Sequence, residues 1–172
     1  MLSQRSPGER PDRIFPILSR RPGAKGARQV PYAKHYDMPT FRYPVRVHWE
    51  DTDAGGIVYH ANYLKFMERA RSEILRNFGI SQRVNPETGG VLFVVADLSI
   101  KYRRAAKLED ELTVETAVER LGGASCVFSQ TILLGDDVVT AGTVRVACVD
   151  AATLAPTPIP EAIRAQLGTL KA

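Results

Sequence analysis

The chain has 172 residues, 44% hydrophobic and 24% charged, with a formal net charge of +4. Those proportions fit one globular domain with a single core and some excess length, and no run approaches the ~18 consecutive apolar residues that a bilayer span needs. The basic surplus lies in residues 1 to 37, which hold eight Lys or Arg against Glu9, Asp12 and Asp37, whereas residues 38 to 172 hold 15 basic and 16 acidic side chains. A near-neutral domain behind a basic tail is poor material for a specific nucleic-acid surface, so no nucleic-acid partner is expected.

Residues 1 to 37 scatter five prolines and three glycines among arginines, without a 3.6 or 2.0 apolar period, and are expected to be disordered. Their longest apolar stretch, Ile14 to Leu18, is broken by Pro16 and is too short for a secretory signal. The prolines also oppose the amphipathic helix of an organellar transit peptide, so a cytoplasmic location is the expectation. Met38 stands directly before patterned sequence. The native start is therefore expected there, with residues 1 to 37 a misassigned extension and residues 38 to 172 the domain.

In Phe41 to Trp49, FRYPVRVHW, large apolar residues alternate with polar ones as in a half-buried strand, and Pro44 favours an edge position. A loop over residues 50 to 60 follows. From Ala61 to Phe78, apolar residues at Tyr63, Phe66, Met67, Ala70, Ile74 and Phe78 recur at helical spacing. Asn62 suits the N-cap and Gly79 the C-terminal stop, while Lys65, Glu68, Arg69, Ser72, Glu73 and Arg76 form the opposite, solvated face. Past an Asn, Pro and Gly-rich loop, four strands are predicted at Val91 to Arg103, Glu111 to Leu121, Ser125 to Leu134 and Val138 to Asp150. Gly122-Gly123 and Gly135-Asp136-Asp137 suit tight turns between them. The segment from Pro158 to Leu170 is expected to be a short helix or tail. The order implies an α+β fold: an antiparallel five-stranded sheet with one helix, about 27 Å long, on one face. Cys126 and Cys148 fall in separate strand-like runs without partner ligands, and are expected to be buried free thiols.

The loop, EDTDAGGIVYHANY from Glu50 to Tyr63, concentrates acids, glycines and a histidine just ahead of the helix. The unpaired N–H groups of a helix start attract negative charge, including a developing oxyanion. Adjacent Gly55 and Gly56 permit left-handed backbone and the close approach of a ligand. An ionised Asp beside them could activate water or attack directly. Two other readings stay open on the residues alone: an Asx-type turn that merely feeds the helix, and a metal ion held by Asp51, Asp53 and His60.

The run VRVHWEDTDAGGIVYHANYLKFMERARSEILRNFGI resembles hotdog-fold thioesterases of the 4-hydroxybenzoyl-CoA type, and most of all the Tol-Pal-associated acyl-CoA thioesterases, with specific similarity over residues 45 to 79. The resemblance implies a hotdog fold, in which the sheet wraps a central helix, and a homodimer or homotetramer with its sites at the dimer interface. It places the catalytic carboxylate on Asp53 and the carbonyl-polarising amide on His60, whose imidazole can also orient substrate or water, and leaves Asp51 to support the turn. Gly55, Gly56, Ile57, Val58, Tyr59 and Tyr63 would border the acyl group. Lys101, Arg103 and Arg104 are the best cluster for the CoA phosphates, with a solvated strand end as the plain alternative. Some hotdog thioesterases use a helix glutamate instead, which makes Glu68 and Glu73 the reserve candidates. No cofactor or resident metal is implied. The expected activity is hydrolysis of a short-chain or aromatic acyl-CoA, and the competing expectation is a non-catalytic hotdog protein that binds an acyl thioester or a protein partner.

Overall fold

The computed structural model describes residues 39–83 and 89–171. The expectations for residues 1 to 37 and for a start at Met38 lie outside them. In chain order the elements are β1 (Phe41–Arg46), a 3-10 turn (Trp49–Asp51), α1 (Asn62–Asn77), β2 (Val91–Tyr102), β3 (Glu111–Leu121), β4 (Ser125–Leu134), β5 (Asp137–Asp150) and α2 (Glu161–Gly168). The strands form one sheet in the order β1-β3-β4-β5-β2, with every pair antiparallel. Hairpins join β3 to β4 and β4 to β5, whereas β1 and β2, which flank the helix in sequence, lie on opposite edges.

Alternation explains which face is inside. On β3, Leu112, Val114, Thr116 and Val118 are buried at two-residue spacing, as the strand period requires. They meet the stripe of α1, where Tyr63, Phe66, Met67, Ala70 and Ile74 are all buried. Burying side chains of this size gains about 1.5–3 kcal/mol each, so tertiary packing rather than propensity holds the helix. Phe66 is fully buried, and its truncation to Ala is expected to cost about 3–5 kcal/mol. Register shifts at Val95/Asp97, Val118/Arg120 and Ile132/Leu133 mark bulges, which add twist and let the sheet curve around the helix. Gly142 permits one close passage: a Cβ there would lie 2.3 Å from the Ser99 carbonyl oxygen of β2.

The structure refines several sequence expectations. The first strand ends at Arg46, not Trp49, because Trp49–Asp51 tightens into the 3-10 turn. The helix begins at Asn62 with Ala61 at the cap position, so Asn62 is not the N-cap; its side chain is engaged elsewhere. Arg103 lies just past the end of β2. Gly79, at φ +72, terminates α1 as its residue type indicates. The C-terminal segment contains α2, whose Ile163 and Leu167 are buried in a second core cluster with Ile74, Val118, Phe128 and Cys148. Cys126 and Cys148 are free and buried, and burial pushes the Cys126 thiol up to about 12. Among the described residues no helix is long and apolar enough to cross a membrane.

Candidate active site

The segment from His48 to Tyr63 is fastened from within and from β2 and its following loop. Asp51 is 2% exposed. Its Oδ2 accepts the His48 N–H at 2.9 Å, and its backbone carbonyl accepts the Tyr59 N–H at 2.8 Å. The Asn62 amide donates to the same Asp51 carbonyl at 3.0 Å and to the Glu50 carbonyl at 3.4 Å. Asn62 therefore ties the helix to the 3-10 turn, a task that its sequence position does not reveal. Ala106 clamps the segment from outside: its carbonyl accepts the Val58 N–H at 2.9 Å, and its N–H donates to the Tyr63 hydroxyl at 3.0 Å.

Asp53, two residues further on, is exposed to solvent. The Asp53 N–H donates to the Ile57 carbonyl at 3.0 Å, and its carbonyl accepts the Gly56 N–H at 2.9 Å, closing a tight loop. Gly56, at φ +71, supplies the left-handed residue that the loop needs. The Gly55 N–H donates to Asp53 Oδ1 at 2.8 Å, and Oδ2 has no partner among the described residues. One carboxylate oxygen is thus oriented while the other is open to water.

At the far end of the loop, the Tyr59 carbonyl accepts the Asn62 N–H at 2.8 Å, and the Tyr102 hydroxyl donates to the His60 carbonyl at 3.0 Å. Among the described residues no acceptor takes the His60 or Ala61 N–H. Unpaired donors at a helix start are the condition for holding an anionic oxygen. The His60 ring is exposed and lies 4.4 Å from the Tyr59 ring, centroid to centroid.

The expected acyl-bordering residues divide. Gly55 and Gly56 are exposed, Ile57 is half-buried and Tyr59 is 43% exposed, whereas Val58 and Tyr63 point into the core and present almost no surface to a ligand. Burial raises the Tyr63 phenol above its ordinary value. Trp49, 78% exposed beside Asp51, adds apolar surface that the sequence reading passed over. Of the basic cluster, Arg104 pairs with Asp137 and Lys101 is exposed. The reserve acids are occupied: Glu68 accepts the Ser72 hydroxyl at 2.7 Å, and Glu73 pairs with Arg76. Among the described residues no three His, Cys, Asp or Glu side chains gather as a metal site, which leaves the alternative of an ion on Asp51, Asp53 and His60 without geometric support. A cavity of about 120 Å³ lies among Arg71, Leu75, Phe93, Cys126, Phe128 and Leu167. No loop residue lines it, so it is separate from this chemistry.

A curved antiparallel sheet around one central helix is the hotdog architecture. The chain belongs to the thioesterase-like superfamily, whose family model matches residues 47–167. It is 46% identical over 131 residues to the acyl-CoA thioesterase YbgC of Haemophilus influenzae, covering 76% of this chain and 96% of that protein. It is 42% identical over 127 residues to the acyl-CoA thioester hydrolase YbgC of Escherichia coli O6:H1, covering 73% and 94%. Among solved structures, a probable thioesterase from Bartonella henselae superposes with a TM-score of 0.63 at 34% identity, covering 71% of this chain and 99% of that one.

Proposed function

We propose that this chain hydrolyses a short-chain or aromatic acyl-CoA to the free acid and CoA, with Asp53 activating the oxygen nucleophile and the start of α1 at His60 holding the carbonyl oxygen. The observation that carries this reading is the Asp53 carboxylate, pinned at Oδ1 by Gly55 and open at Oδ2 among the described residues, on the loop that leads to the His60 N–H, which no acceptor takes among the described residues. Water near Oδ2 gives its proton to the carboxylate as its oxygen bonds to the thioester carbon. The C=O electrons move onto oxygen, where amide donors stabilise them. When the carbonyl re-forms, the C–S bond breaks and the sulfur leaves as thiolate, which takes up the proton. In the nucleophilic variant, Oδ2 attacks the carbon itself, the C–S bond breaks to release the CoA thiolate, and water then hydrolyses the mixed anhydride to the free acid and the Asp53 carboxylate, its proton passing to the thiolate. The accessible apolar surface of the segment, Ile57 with the Trp49 and Tyr59 rings, suits a short or aromatic acyl group.

The partner in this reading is a second copy paired along β2. That strand is a twelve-residue edge on which Val94, Val95 and Leu98 are exposed, Val95 to 52%. An open apolar edge of that length is otherwise a liability. Tyr102, which reaches His60, ends the same strand, so a copy paired there lies beside the loop. Leu98→Asp is expected to shift the solution mass toward monomer, as read by light scattering. A monomeric wild type would refute the pairing.

Asp53→Asn tests the chemistry. Thiol release from a panel of acyl-CoAs should fall by about 100- to 10,000-fold, the usual contribution of a general base. A folded variant as fast as wild type would refute the role of Asp53, and a wild type with no thiol release above background would favour the non-catalytic binding protein. Single turnover in ¹⁸O-labelled water together with trapping of an acyl-enzyme separates the two mechanisms: label entering Asp53 or a trapped acyl-Asp53 marks nucleophilic attack, and label in the acid with no acyl-enzyme marks general-base catalysis.

A further inference from the structure

Tyr102 closes β2 at the point where that strand meets the head of α1. Its hydroxyl donates to the His60 carbonyl at 3.0 Å, its ring stands edge-on to the His60 imidazole with centroids 6.3 Å apart, and it packs on the Tyr63 ring at 5.8 Å. The platform beneath it is fixed. The Thr140 hydroxyl donates to the Lys101 carbonyl at 2.9 Å, and the Arg103 and Arg104 N–H groups both donate to the Val139 carbonyl, at 2.8 and 3.1 Å. Burial raises the Tyr102 phenol above its ordinary value, so the group stays protonated and remains a donor at neutral and mildly alkaline pH.

The backbone it meets contains two consecutive peptide units. The Tyr59 carbonyl and the His60 N–H belong to the first, and its carbonyl accepts from Asn62. The His60 carbonyl and the Ala61 N–H belong to the second, and its carbonyl accepts from Tyr102. Both carbonyls are bonded while neither N–H has an acceptor among the described residues. A bond accepted at a peptide oxygen polarises the unit and strengthens its N–H as a donor. Holding the unit in one orientation also removes reorganisation at the moment charge develops.

We propose that Tyr102 is a positioning residue for the acyl carbonyl: by holding the His60 carbonyl, it fixes the turn whose His60 and Ala61 N–H groups receive the thioester oxygen. The proposal rests on the oxyanion reading of the α1 start. Tyr102 does not touch the substrate in this scheme; it acts through the backbone of His60.

The test uses full-length protein and an acyl-CoA labelled with ¹³C at the carbonyl, bound to the slow Asp53→Asn variant and read by infrared difference spectroscopy. The bound carbonyl stretch should move to lower wavenumber than that of free substrate, and adding Tyr102→Phe should remove at least half of that displacement. In the Asp53 background, Tyr102→Phe should lower kcat by ~3- to 30-fold with KM held within about twofold, less than the ~100- to 1,000-fold typical of deleting an oxyanion donor outright. An equal displacement with and without the hydroxyl overturns the role of Tyr102 and leaves the oxyanion reading standing. No displacement in Asp53→Asn alone overturns both. A lowered melting temperature with unchanged carbonyl frequency assigns the hydroxyl a structural task only, and also overturns the proposal.

Discussion

Two acids of the same type, two positions apart, occupy opposite regions of one short segment. Asp51 belongs to the 3-10 turn, buried, with its side chain spent on His48 and its carbonyl on Tyr59 and Asn62. Asp53 belongs to the glycine loop, exposed, with one oxygen held by Gly55. Each carboxylate has one oxygen on a backbone N–H, but that of Asp51 is shut away from solvent, whereas that of Asp53 is oriented and still open to water. Residue type and the single backbone bond are common to both, and what separates support from candidate chemistry is access to water.

The comparison is sharpest if each acid is removed in turn. Asp53→Asn, with its expected loss of about 100- to 10,000-fold in kcat, should leave the urea midpoint close to that of wild type, because an exposed residue contributes little to stability. Asp51→Ala should do the reverse. It deletes the acceptor of the His48 N–H and is expected to cost about 1–3 kcal/mol, with kcat per folded molecule reduced far less than in Asp53→Asn. Equal losses of activity in the two folded variants would break the distinction.

A third substitution probes the loop without touching either acid. Gly56 has φ +71, and nothing lies within 4 Å of the position a Cβ would take, so the cost of Gly56→Ala comes from backbone conformation alone, about 1 kcal/mol. That loss is measurable by urea unfolding, and kcat should fall modestly as Asp53 and the helix head shift relative to each other. A stable variant with unchanged kcat would show that the geometry of the loop is not tightly coupled to turnover.

Much of this fold is written in local pattern. The helix stripe from Tyr63 to Ile74 and the alternation along β3 report burial through periods of 3.6 and 2, so element type follows from neighbouring residues. The placement of β2 beside β5 does not, because it depends on contacts such as Val91 with Asp150 and Tyr102 with Thr140. In the candidate site, the glycines and acids were legible as loop chemistry, and the positions proposed for Asp53 and His60 came from a motif resemblance rather than from physics. The clamps were not legible. Asn62 looked like a cap by type, yet serves carbonyls 11 and 12 residues upstream. Tyr102 lies 42 residues from His60 and Ala106 lies 43 from Tyr63, separations over which a single sequence carries no pairing signal.

The smallest effect is expected at the proposed site for the CoA phosphates, which lies beyond the comparison of the two acids and tests whether the neighbourhood of the loop also selects the carrier. Arg104 is engaged with Asp137, while Lys101 is exposed and forms no ion pair among the described residues. An exposed ammonium near a phosphate gains only about 0.2–1 kcal/mol, so Lys101→Ala should raise KM by ~1.5- to 5-fold and leave kcat alone. The increase should shrink as added salt shortens the screening length. It should vanish for the matching acyl-pantetheine, which presents the same thioester without the phosphates. If KM rises equally for both substrates, Lys101 acts on the thioester end or on the fold, and the phosphate assignment falls while that of Asp53 is untouched.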